Sequence, residues 1–373
     1  MDQSTRRRVR HLTELLSPAS HPLGFDEPVR AVKCSSRRSS RVCVLGAGVV
    51  GLTTALRLLE RFPGLNVVVV ADKYGTETLS DGAGGLWMPF ALSGGQVDLV
   101  AKWGAATFQH YMDLYRTKHA ADAGVMLTGG YDLSSVPLPE EKPFWADILL
   151  AFRRLESSEL AAFDPSGTSV DGYGFTTIVT EGRLYLVWLM KQIEQLGGRH
   201  ERRHVSSLDE LADYDAVVNC TGLMAPKLVD GEEMYPIRGH VIRVRAPWVR
   251  QYTNKDKDIY IIPNTDTVVL GGTIQKGDWD TVPRPEERAR ILERCYSILP
   301  SLRRAPIVRE WVGLRPGRAA IRLELERRAL PATAARRGTL PVVHNYGHGG
   351  SGLTLAWGCA ADAMQLVQAA LQL

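Results

Sequence analysis

The chain has 373 residues and a mass of 41.2 kDa, which is more than one hydrophobic core usually holds, so two domains are expected. Its composition, 45% hydrophobic and 23% charged, excludes a disordered chain, a collagen-like chain and a small disulfide scaffold. The formal net charge is +4, yet residues 1–40 carry eight basic and four acidic side chains, so the remainder is neutral and no nucleic-acid partner is expected.

Cysteine and hydropathy patterns exclude further classes. The five cysteines are odd in number and form no CxxC pair, which favours free thiols in a reducing compartment. His200 with His204 and His344 with His348 have helical spacing, but neither pair has a carboxylate or cysteine partner at a suitable spacing, so no metal is expected. No apolar run approaches the ~18 residues of a membrane-spanning helix, so no membrane partner is expected.

The first 40 residues differ from the rest of the chain. They mix Arg, Ser and Pro without sustained periodicity and are too polar for a secretory signal. They are Arg- and Ser-rich like a transit peptide, but four acidic residues argue against one. We expect residues 1–40 to form a basic N-terminal extension outside the fold.

The folded region begins with a strand, a glycine turn, a helix and a second strand. Residues 42–45 are a continuous apolar run, which predicts a strand buried on both faces. Glycines follow at 46, 48 and 51, then apolar residues at helical spacing over 52–60 and a second buried strand over 66–71. This is a βαβ unit, and such units build parallel sheets.

The glycine turn has the GxGxxG spacing of a dinucleotide site. Gly46 allows a tight turn, Gly48 lets the backbone approach a pyrophosphate, and Gly51 lets helix and strand pack closely. Asp72 follows Gly51 by 21 positions and could accept hydrogen bonds from a ribose. The motif does not choose between NAD and FAD, and a glycine-rich turn without a ligand is the structural alternative.

The later elements alternate in type. Helices are predicted over 97–118, 183–196, 286–298 and 353–371. Strands are predicted over 216–220, 240–244, 259–262, 267–270 and 342–345. The mixture predicts a nucleotide-binding domain interleaved with a second domain that contains a sheet.

Two side chains near these strands could bind a substrate. Arg315 lies in apolar company, where an arginine usually has a fixed anionic partner, either a protein carboxylate or a substrate carboxylate. Tyr260 is equally explained as a core aromatic residue. No Ser-His-Asp arrangement, nucleophile elbow or P-loop is present, which indicates that a bound cofactor supplies the chemistry.

A second glycine cluster precedes the last helix. Residues 347–352 contain four glycines between a predicted strand and a predicted helix. An electron-rich group at this helix start would be stabilised, which fits the flavin end of FAD. A purely structural turn is the alternative.

Taken together, these segments resemble the D-amino-acid oxidase family, including its D-aspartate oxidase branch. The matching motifs occur in family order: VLGAGVVGL at 44–52, DGAGGLW at 81–87, PFWAD at 143–147, VNCTG at 218–222, RGH at 238–240, YIIP at 260–263, LGGT at 270–273, GLRP at 313–316 and HNYGHGGSGLT at 344–354. The resemblance implies an α/β fold, with a Rossmann-type FAD-binding domain containing a parallel sheet, interleaved with a substrate domain containing a large mixed sheet. The implied boundaries are 41–90, 181–224 and 319–373 for the FAD-binding domain, and 91–180 and 225–318 for the substrate domain.

The resemblance also implies the reaction. An FAD-dependent oxidase of this kind deaminates D-amino acids to 2-oxo acids, ammonia and hydrogen peroxide, by hydride transfer from the α-carbon to flavin N5, with molecular oxygen as the second substrate. A homodimer and a peroxisomal location are further expectations. Because the chain ends Leu371-Gln372-Leu373 instead of a Ser-Lys-Leu type signal, a cytoplasmic or other organellar location is the alternative. The alternatives are a non-catalytic dinucleotide-binding protein and an NAD-linked dehydrogenase.

Residue roles follow from the same resemblance. Arg315 would hold the substrate α-carboxylate, with the Tyr260 hydroxyl as its partner and the Gly350 carbonyl as acceptor for the amine. FAD contacts are implied at Gly46, Ala47, Gly48, Val49, Val50, Gly51, Asp72, Lys73, Thr78, Ser80, Gly84, Gly85, Leu86, Val205, Thr221, Gly222, Arg315, Gly349, Gly350, Ser351, Gly352, Leu353 and Thr354.

The substrate pocket departs from the family pattern. Its expected wall residues are Met88, Phe90 and Ile274, and Met88 stands where some members have glutamine. Ile274 stands where D-aspartate oxidases have an arginine, and the loop before Tyr260 is short. We therefore favour neutral or a broad range of D-amino acids, because an unpaired side-chain carboxylate would be costly to bury. Acidic D-amino acids are the alternative, with Arg250 or Arg318 as a replacement charge.

Overall fold

The computed structural model describes residues 40–92, 94–257, 259–330 and 338–373. The predicted N-terminal extension lies outside these ranges, apart from its last residue. Residues Ser40–Leu373 form one compact unit. Within the described ranges, no helix is long and apolar enough to cross a bilayer, and no three metal-ligating side chains are grouped to hold an ion.

The described residues form two sheets. Their strands are β1 (Arg41–Leu45), β2 (Asn66–Ala71), β3 (Val125–Ser134), β4 (Leu150–Arg154), β5 (Asp171–Thr180), β6 (Arg199–Arg202), β7 (Ala216–Asn219), β8 (Tyr235–Val244), β9 (Tyr252–Lys255), β10 (Ile259–Pro263), β11 (Val268–Gly271), β12 (Gln275–Lys276), β13 (Ile307–Gly317), β14 (Arg322–Ala329) and β15 (Thr339–Tyr346).

Helices connect and cover these strands. The α-helices are α1 (Val49–Arg61), α2 (Leu79–Gly82), α3 (Val97–Tyr115), α4 (Ser157–Phe163), α5 (Gly182–Gln195), α6 (Pro285–Ile298) and α7 (Gly352–Leu371). Short 3-10 turns span Gly75–Glu77, Ala146–Ile148, Leu208–Leu211, Gly222–Lys227 and Pro300–Arg304.

The first sheet has six strands in the order β14-β15-β7-β1-β2-β6. Strand β1 pairs in parallel with β2 on one side and with β7 on the other, as the βαβ pattern predicts. Alternate residues of β1 and β2 pack into separate cores on the two faces of the sheet, which explains their uninterrupted apolar sequences. Only the edge strand β14 runs antiparallel to its neighbour.

The second sheet has nine strands, in the order β12-β8-β11-β10-β9-β3-β5-β4, with β13 paired to β8. Its pairs are antiparallel except for β3 with β9, so it is the predicted mixed sheet. Helix α6 packs on its outer face through a cluster that includes Ile242, Ile261 and Leu270. The inner face, with Val241, Tyr260 and Ile262, turns toward the glycine-rich segments.

The strands can be placed on the chain segments that the sequence analysis assigned to two domains. The described strands of the six-stranded sheet lie within 41–90, 181–224 and 319–373, and those of the second sheet lie within 91–180 and 225–318. The division into two domains stays a prediction. Helix α3 is different: the sequence puts it in the substrate domain, but it packs on α7. Its Tyr111 hydroxyl donates to the Leu353 carbonyl (2.9 Å), which ties it to the helix after the second glycine cluster.

Candidate active site

A cavity of about 700 Å³ lies between the two sheets. At one end it is lined by the segments that follow β1, β2, β6, β7 and β15. In a parallel sheet, this carboxyl edge is where dinucleotides bind. At the other end it is lined by side chains of β8, β9, β10 and β13. The cavity therefore joins a nucleotide-type edge to an antiparallel sheet face.

The first glycine turn has the geometry that its spacing predicts. Gly46 has a φ of +111°, which L side chains rarely adopt, and its N–H donates to the Val70 carbonyl (2.8 Å). A Cβ on Gly51 would lie 1.9 Å from the Gly46 carbonyl oxygen, so this helix start can approach the turn only without a side chain. At Gly48, the nearest atom to an added Cβ is Ser80 Oγ at 3.5 Å, which leaves open space toward the cavity.

Two of the long helices, α1 and α7, begin at the cavity. Helix α1 starts after Gly48 and helix α7 starts after Ser351, and neither has an acidic residue in its first turn. A Cβ on Gly352 would lie 3.6 Å from Val49 Cγ1, so the two starts face each other. The positive ends of two helix dipoles therefore meet where an anionic group would be stabilised.

The second glycine segment is hydrogen-bonded to Phe90 and Ala91, beside the cavity. Ser351 Oγ donates to the Phe90 carbonyl (2.9 Å) and accepts from the Phe90 N–H (3.0 Å). The Gly350 N–H donates to the Ala91 carbonyl (3.1 Å), and a Cβ on Gly350 would lie 2.7 Å from the Phe90 carbonyl oxygen. These contacts require glycine at position 350 and fix the segment beside the cavity.

His348 lines the cavity with an unsatisfied nitrogen. Its side chain is 2% exposed, and its Nε2 has no hydrogen-bond partner among the described residues. Burial lowers the pKa of His348 to about 4, so the imidazole is neutral near pH 7. A buried polar atom without a protein partner at a cavity wall is one that a bound group can satisfy.

Arg315 lies on β13, opposite Ile237 of β8. Its Nη1 donates to the carbonyl of Thr273 (3.1 Å) and, at longer distance, to that of Arg238 (3.4 Å). No carboxylate of the described residues pairs with it, in contrast to the other arginine of this segment, Arg318, which pairs with Glu232 at 2.5 Å. The Arg315 guanidinium therefore keeps its positive charge available to the cavity.

Tyr260 stands beside Arg315 on the same cavity wall. It lies on β10 opposite Gly271, and a Cβ on Gly271 or Gly272 would fall 2.1 or 2.4 Å from the Tyr260 side chain. Burial raises the pKa of Tyr260, while Arg315 lowers it to a lesser extent, so the phenol stays protonated near neutral pH. The Tyr260 hydroxyl and the Arg315 guanidinium therefore lie together at this end of the cavity.

The outer wall of this end contains two residues that the sequence reasoning missed. Asn254 lies opposite Tyr260 in the sheet, and its Nδ2 is 3.7 Å from Met88 Sδ. Lys257 lines the cavity just after β9 in a left-handed conformation, with a φ of +66°. It forms no hydrogen bond or ion pair with the described residues. No motif marks these positions, since only the pairing of β9 with β10 brings them to the cavity.

Most residues predicted as site residues line this one cavity. They are Gly46, Ala47, Gly48, Val49, Val50, Asp72, Lys73, Thr78, Ser80, Gly84, Gly85, Leu86, Met88, Phe90, Val205, Thr221, Gly222, Tyr260, Arg315, Gly349, Gly350, Gly352, Leu353 and Thr354. Gly51 and Ser351 do not line it, because Gly51 packs against the turn and Ser351 bonds to Phe90.

One predicted pocket residue and two predicted charges lie elsewhere. Ile274 does not line the cavity and its side chain is 45% exposed, so the prediction that it forms the substrate pocket is wrong. Neither Arg250 nor Arg318 lines the cavity, and Arg318 is held by Glu232. The only cations near the Tyr260 end, among the described lining residues, are Arg315 and Lys257.

The residues present fit a dinucleotide with a second ring system. Gly48 leaves space for close approach, the facing starts of α1 and α7 suit a diphosphate, and Asp72 at the edge of the sheet suits a ribose. At the far end, His348 offers an unsatisfied nitrogen beside the second glycine segment. Fold and site together define a dinucleotide-dependent oxidoreductase.

Comparison with known proteins gives the family. The sequence model of DAO, described as FAD dependent oxidoreductase, matches residues 41–366. The chain belongs to this family, and its cofactor is FAD.

Relatives match over nearly their whole length. The chain is 40% identical to a D-aspartate oxidase of Homo sapiens, over 88% of this chain and 95% of the relative. It is also 40% identical to a D-amino-acid oxidase of Rubrobacter xylanophilus, over 89% of this chain and 97% of that protein. The solved structure of glycine oxidase from Geobacillus kaustophilus covers 89% of this chain and 95% of its own, with a TM-score of 0.70 at 21% identity, and so shows the same fold.

Proposed function

We propose that this protein oxidises D-amino acids to 2-oxo acids, with release of ammonia and hydrogen peroxide. The observation that carries the proposal is Arg315, a cation without a carboxylate partner in the described structure, beside the protonated hydroxyl of Tyr260 in the FAD cavity. The relatives named D-amino-acid oxidase and D-aspartate oxidase support it.

In this proposal the protein mainly binds and orients its substrate. Arg315 offers two parallel N–H donors to the α-carboxylate, and the Tyr260 hydroxyl donates a further hydrogen bond to it. The Gly350 carbonyl accepts a hydrogen bond from the amine, which leaves one direction for the Cα–H and so selects one enantiomer. FAD held by the two glycine segments would supply the hydride acceptor and the route by which the electrons reach oxygen.

The atoms balance without a protein base. The substrate loses a hydride from its α-carbon and a proton from its amine, which gives an imino acid, and water converts the imino acid to 2-oxo acid and ammonia. Oxygen takes up the two electrons and two protons. Phe90 and Met88 supply an apolar wall that keeps water from the reacting carbon.

The test of this function compares enantiomers. The FAD-loaded protein is mixed with D-alanine or L-alanine, and hydrogen peroxide and pyruvate are measured. We expect equal amounts of both products with D-alanine and none with L-alanine. Peroxide from L-alanine, or no oxidation of any D-amino acid, would contradict the proposal.

The side chain of the substrate is a finer question. We propose neutral or a broad range of D-amino acids, because Met88 and Phe90, which line this end of the cavity, are apolar. Acidic D-amino acids are a second candidate, because the unpartnered Lys257 lines the same end of the cavity. The ratio of kcat/KM for D-aspartate to that for D-alanine, in the wild type and in Lys257→Gln, separates the two: only the second candidate predicts a fall of that ratio in the variant.

Two broader expectations accompany this function. Because the reaction would release hydrogen peroxide, we place the protein in a compartment that removes peroxide, such as the peroxisome. The expected homodimer stays a prediction, which light scattering of the purified protein tests.

A further inference from the structure

We propose that Glu287 is a positioning residue for carboxylate binding: it fixes the β8 backbone on which the Arg315 guanidinium rests. Glu287 lies on α6, on the outer face of the nine-stranded sheet, and does not line the cavity. The inference rests on the proposed role of Arg315 in holding the substrate carboxylate, and it goes beyond that role by naming what orients the guanidinium.

The guanidinium of Arg315 is held by backbone, not by an ion pair. Its Nη1 faces the carbonyl oxygens of Thr273, Arg238 and Ile237 at 3.1, 3.4 and 3.5 Å. It also lies flat against Gly239, where an added Cβ would be 2.2 Å from Nη2 and 2.4 Å from Cζ. The direction of the guanidinium therefore depends on where the backbone of residues 237–239 and 273 stands.

That backbone is fixed from the opposite side by the Arg238 side chain. Arg238 has no exposed surface. It donates to Glu287 Oε2 (2.7 Å), to Gln275 Oε1 (2.7 Å) and to the carbonyls of Asp280 (2.7 Å) and Val282 (2.8 Å). One buried cation thus joins β8 to the segment after β11, and these two pieces of backbone carry the carbonyls that Arg315 contacts.

Glu287 is the charge that makes this arrangement stable. It is 3% exposed and accepts from Arg238 and from Gln275 Nε2 (2.7 Å), while His240 Nδ1 lies 3.3 Å away. His240 also lies 3.7 Å from Glu310 on β13, and the N–H of His240 donates to Thr273 Oγ1 (2.9 Å). Removing one partner of a buried ion pair leaves the other uncompensated, so the surrounding backbone must shift or admit water.

A shift of this backbone would affect the binding of the substrate carboxylate. Arg315 would lose its fixed direction, and a two-pronged pair with a carboxylate tolerates little misalignment. Carboxylate binding would weaken, while FAD, held at the other end of the cavity, would bind as before. Substitution of a residue that only stabilised the fold would instead weaken carboxylate binding and FAD binding together.

The test uses FAD-loaded wild type, Glu287→Gln and Glu287→Asp. Pyruvate, a monocarboxylate, is titrated while the flavin absorbance is followed, and steady-state kinetics are measured with D-alanine. In Glu287→Gln we expect the pyruvate Kd and the KM for D-alanine to rise about tenfold, with kcat changed less than about threefold and the Kd of FAD unchanged. Glu287→Asp keeps the charge and should recover part of the affinity.

A control separates this effect from loss of any arginine–carboxylate pair in the sheet whose carboxylate is buried. Asp171 is 7% exposed, belongs to the same sheet and pairs with Arg154, but it does not line the cavity. Asp171→Asn should leave the pyruvate Kd unchanged. If Glu287→Gln fails to fold, Gln275→Met, which removes one bond to each of Arg238 and Glu287, takes its place with a smaller expected rise.

The outcomes distinguish the inference from the proposed function. An unchanged pyruvate Kd in Glu287→Gln, or an equal loss of pyruvate and FAD affinity, overturns the positioning role. If Arg315→Lys also leaves pyruvate binding unchanged, the assigned role of Arg315 is overturned, and the proposed function with it. A raised pyruvate Kd in both Glu287→Gln and Arg315→Lys, with wild-type oxidation of D-alanine, supports both proposals.

Discussion

The two ends of the cavity are built in opposite ways. At the end where we propose that FAD binds, here called the FAD end, much of the lining comes from glycine-rich segments at the carboxyl edge of the six-stranded sheet, where no side chains block a ligand. At the end where we propose that substrate binds, here called the substrate end, the lining includes side chains from strands of the nine-stranded sheet, such as Tyr260 and Arg315.

This difference determines how each end responds to mutation. The FAD end depends on the absence of Cβ atoms, so the informative change there is addition of one methyl group. The substrate end depends on charge and hydrogen bonding at a few side chains, so the informative change there is removal of one group. Three predictions test whether the ends are separable in this way.

The largest effect is expected from Arg315→Ala. Two charge-assisted hydrogen bonds of about 2 kcal/mol each would be lost to the substrate carboxylate, so kcat/KM for D-alanine should fall about 1,000-fold. The Kd of FAD, measured by quenching of flavin fluorescence, should stay the same. The exposed Arg303, which pairs with Glu293, provides the control, and Arg303→Ala should have wild-type kinetics. A loss of FAD binding in Arg315→Ala would show that the two ends are not separable.

A smaller effect is expected at the FAD end, where Gly51→Ala should lower stability and Gly48→Ala should weaken FAD binding. The new Cβ at 51 would lie 1.9 Å from the Gly46 carbonyl oxygen, so the apoprotein should lose about 3 kcal/mol of unfolding free energy by overpacking. The Cβ at 48 meets only Ser80 Oγ at 3.5 Å, so the apoprotein should keep its stability. It should bind FAD about 30-fold more weakly, or about 2 kcal/mol, because the methyl group occupies the space of the ligand. Equal behaviour of the two variants in urea unfolding would contradict this assignment.

The contrast between the ends also explains how much the sequence could predict. The βαβ unit is local: one strand, one turn and one helix place Gly46, Gly48 and Gly51, so spacing alone gave the geometry that the structure shows. The substrate end depends on pairing between distant strands. Asn254 and Lys257 were missed because only the register of β9 against β10 brings them to the cavity.

The same reason accounts for the error at position 274. Ile274 follows the Gly271-Gly272-Thr273 segment and matches a family position that carries an arginine, but it is 45% exposed and does not line the cavity. The long pair β3 and β5 was also absent from the sequence prediction. Residues 125–134 and 171–180 mix glycines, polar residues and apolar residues, and a strand whose two faces are both buried, such as β5, does not show strict alternation.

The smallest predicted effect concerns a charge that the substrate end leaves unpaired. Asp132 lies on β3, opposite Asn254 of β9, which lines the cavity. Asp132 forms no hydrogen bond or ion pair with the described residues. Burial raises its pKa to about 6, with Asp256 adding to the rise and Lys257 opposing it. The folded protein therefore binds a proton at Asp132 more tightly than the unfolded chain does. As the pH rises from about 4 to about 6 this proton is lost, so the free energy of unfolding falls over that range.

Asp132→Asn removes this loss. The variant should exceed the wild type by about 1–2 kcal/mol in unfolding free energy at pH 7, a figure reduced from the full pKa shift because the side chain is partly exposed. The gain should shrink toward pH 4, where the wild-type carboxyl is protonated in the fold. Urea unfolding of the FAD-saturated proteins at both pH values measures the difference, with the exposed Asp230→Asn as control. A variant less stable than the wild type at pH 7 would mean that the Asp132 charge supports the substrate end, and that this end, unlike the FAD end, gains stability from its polar side chains.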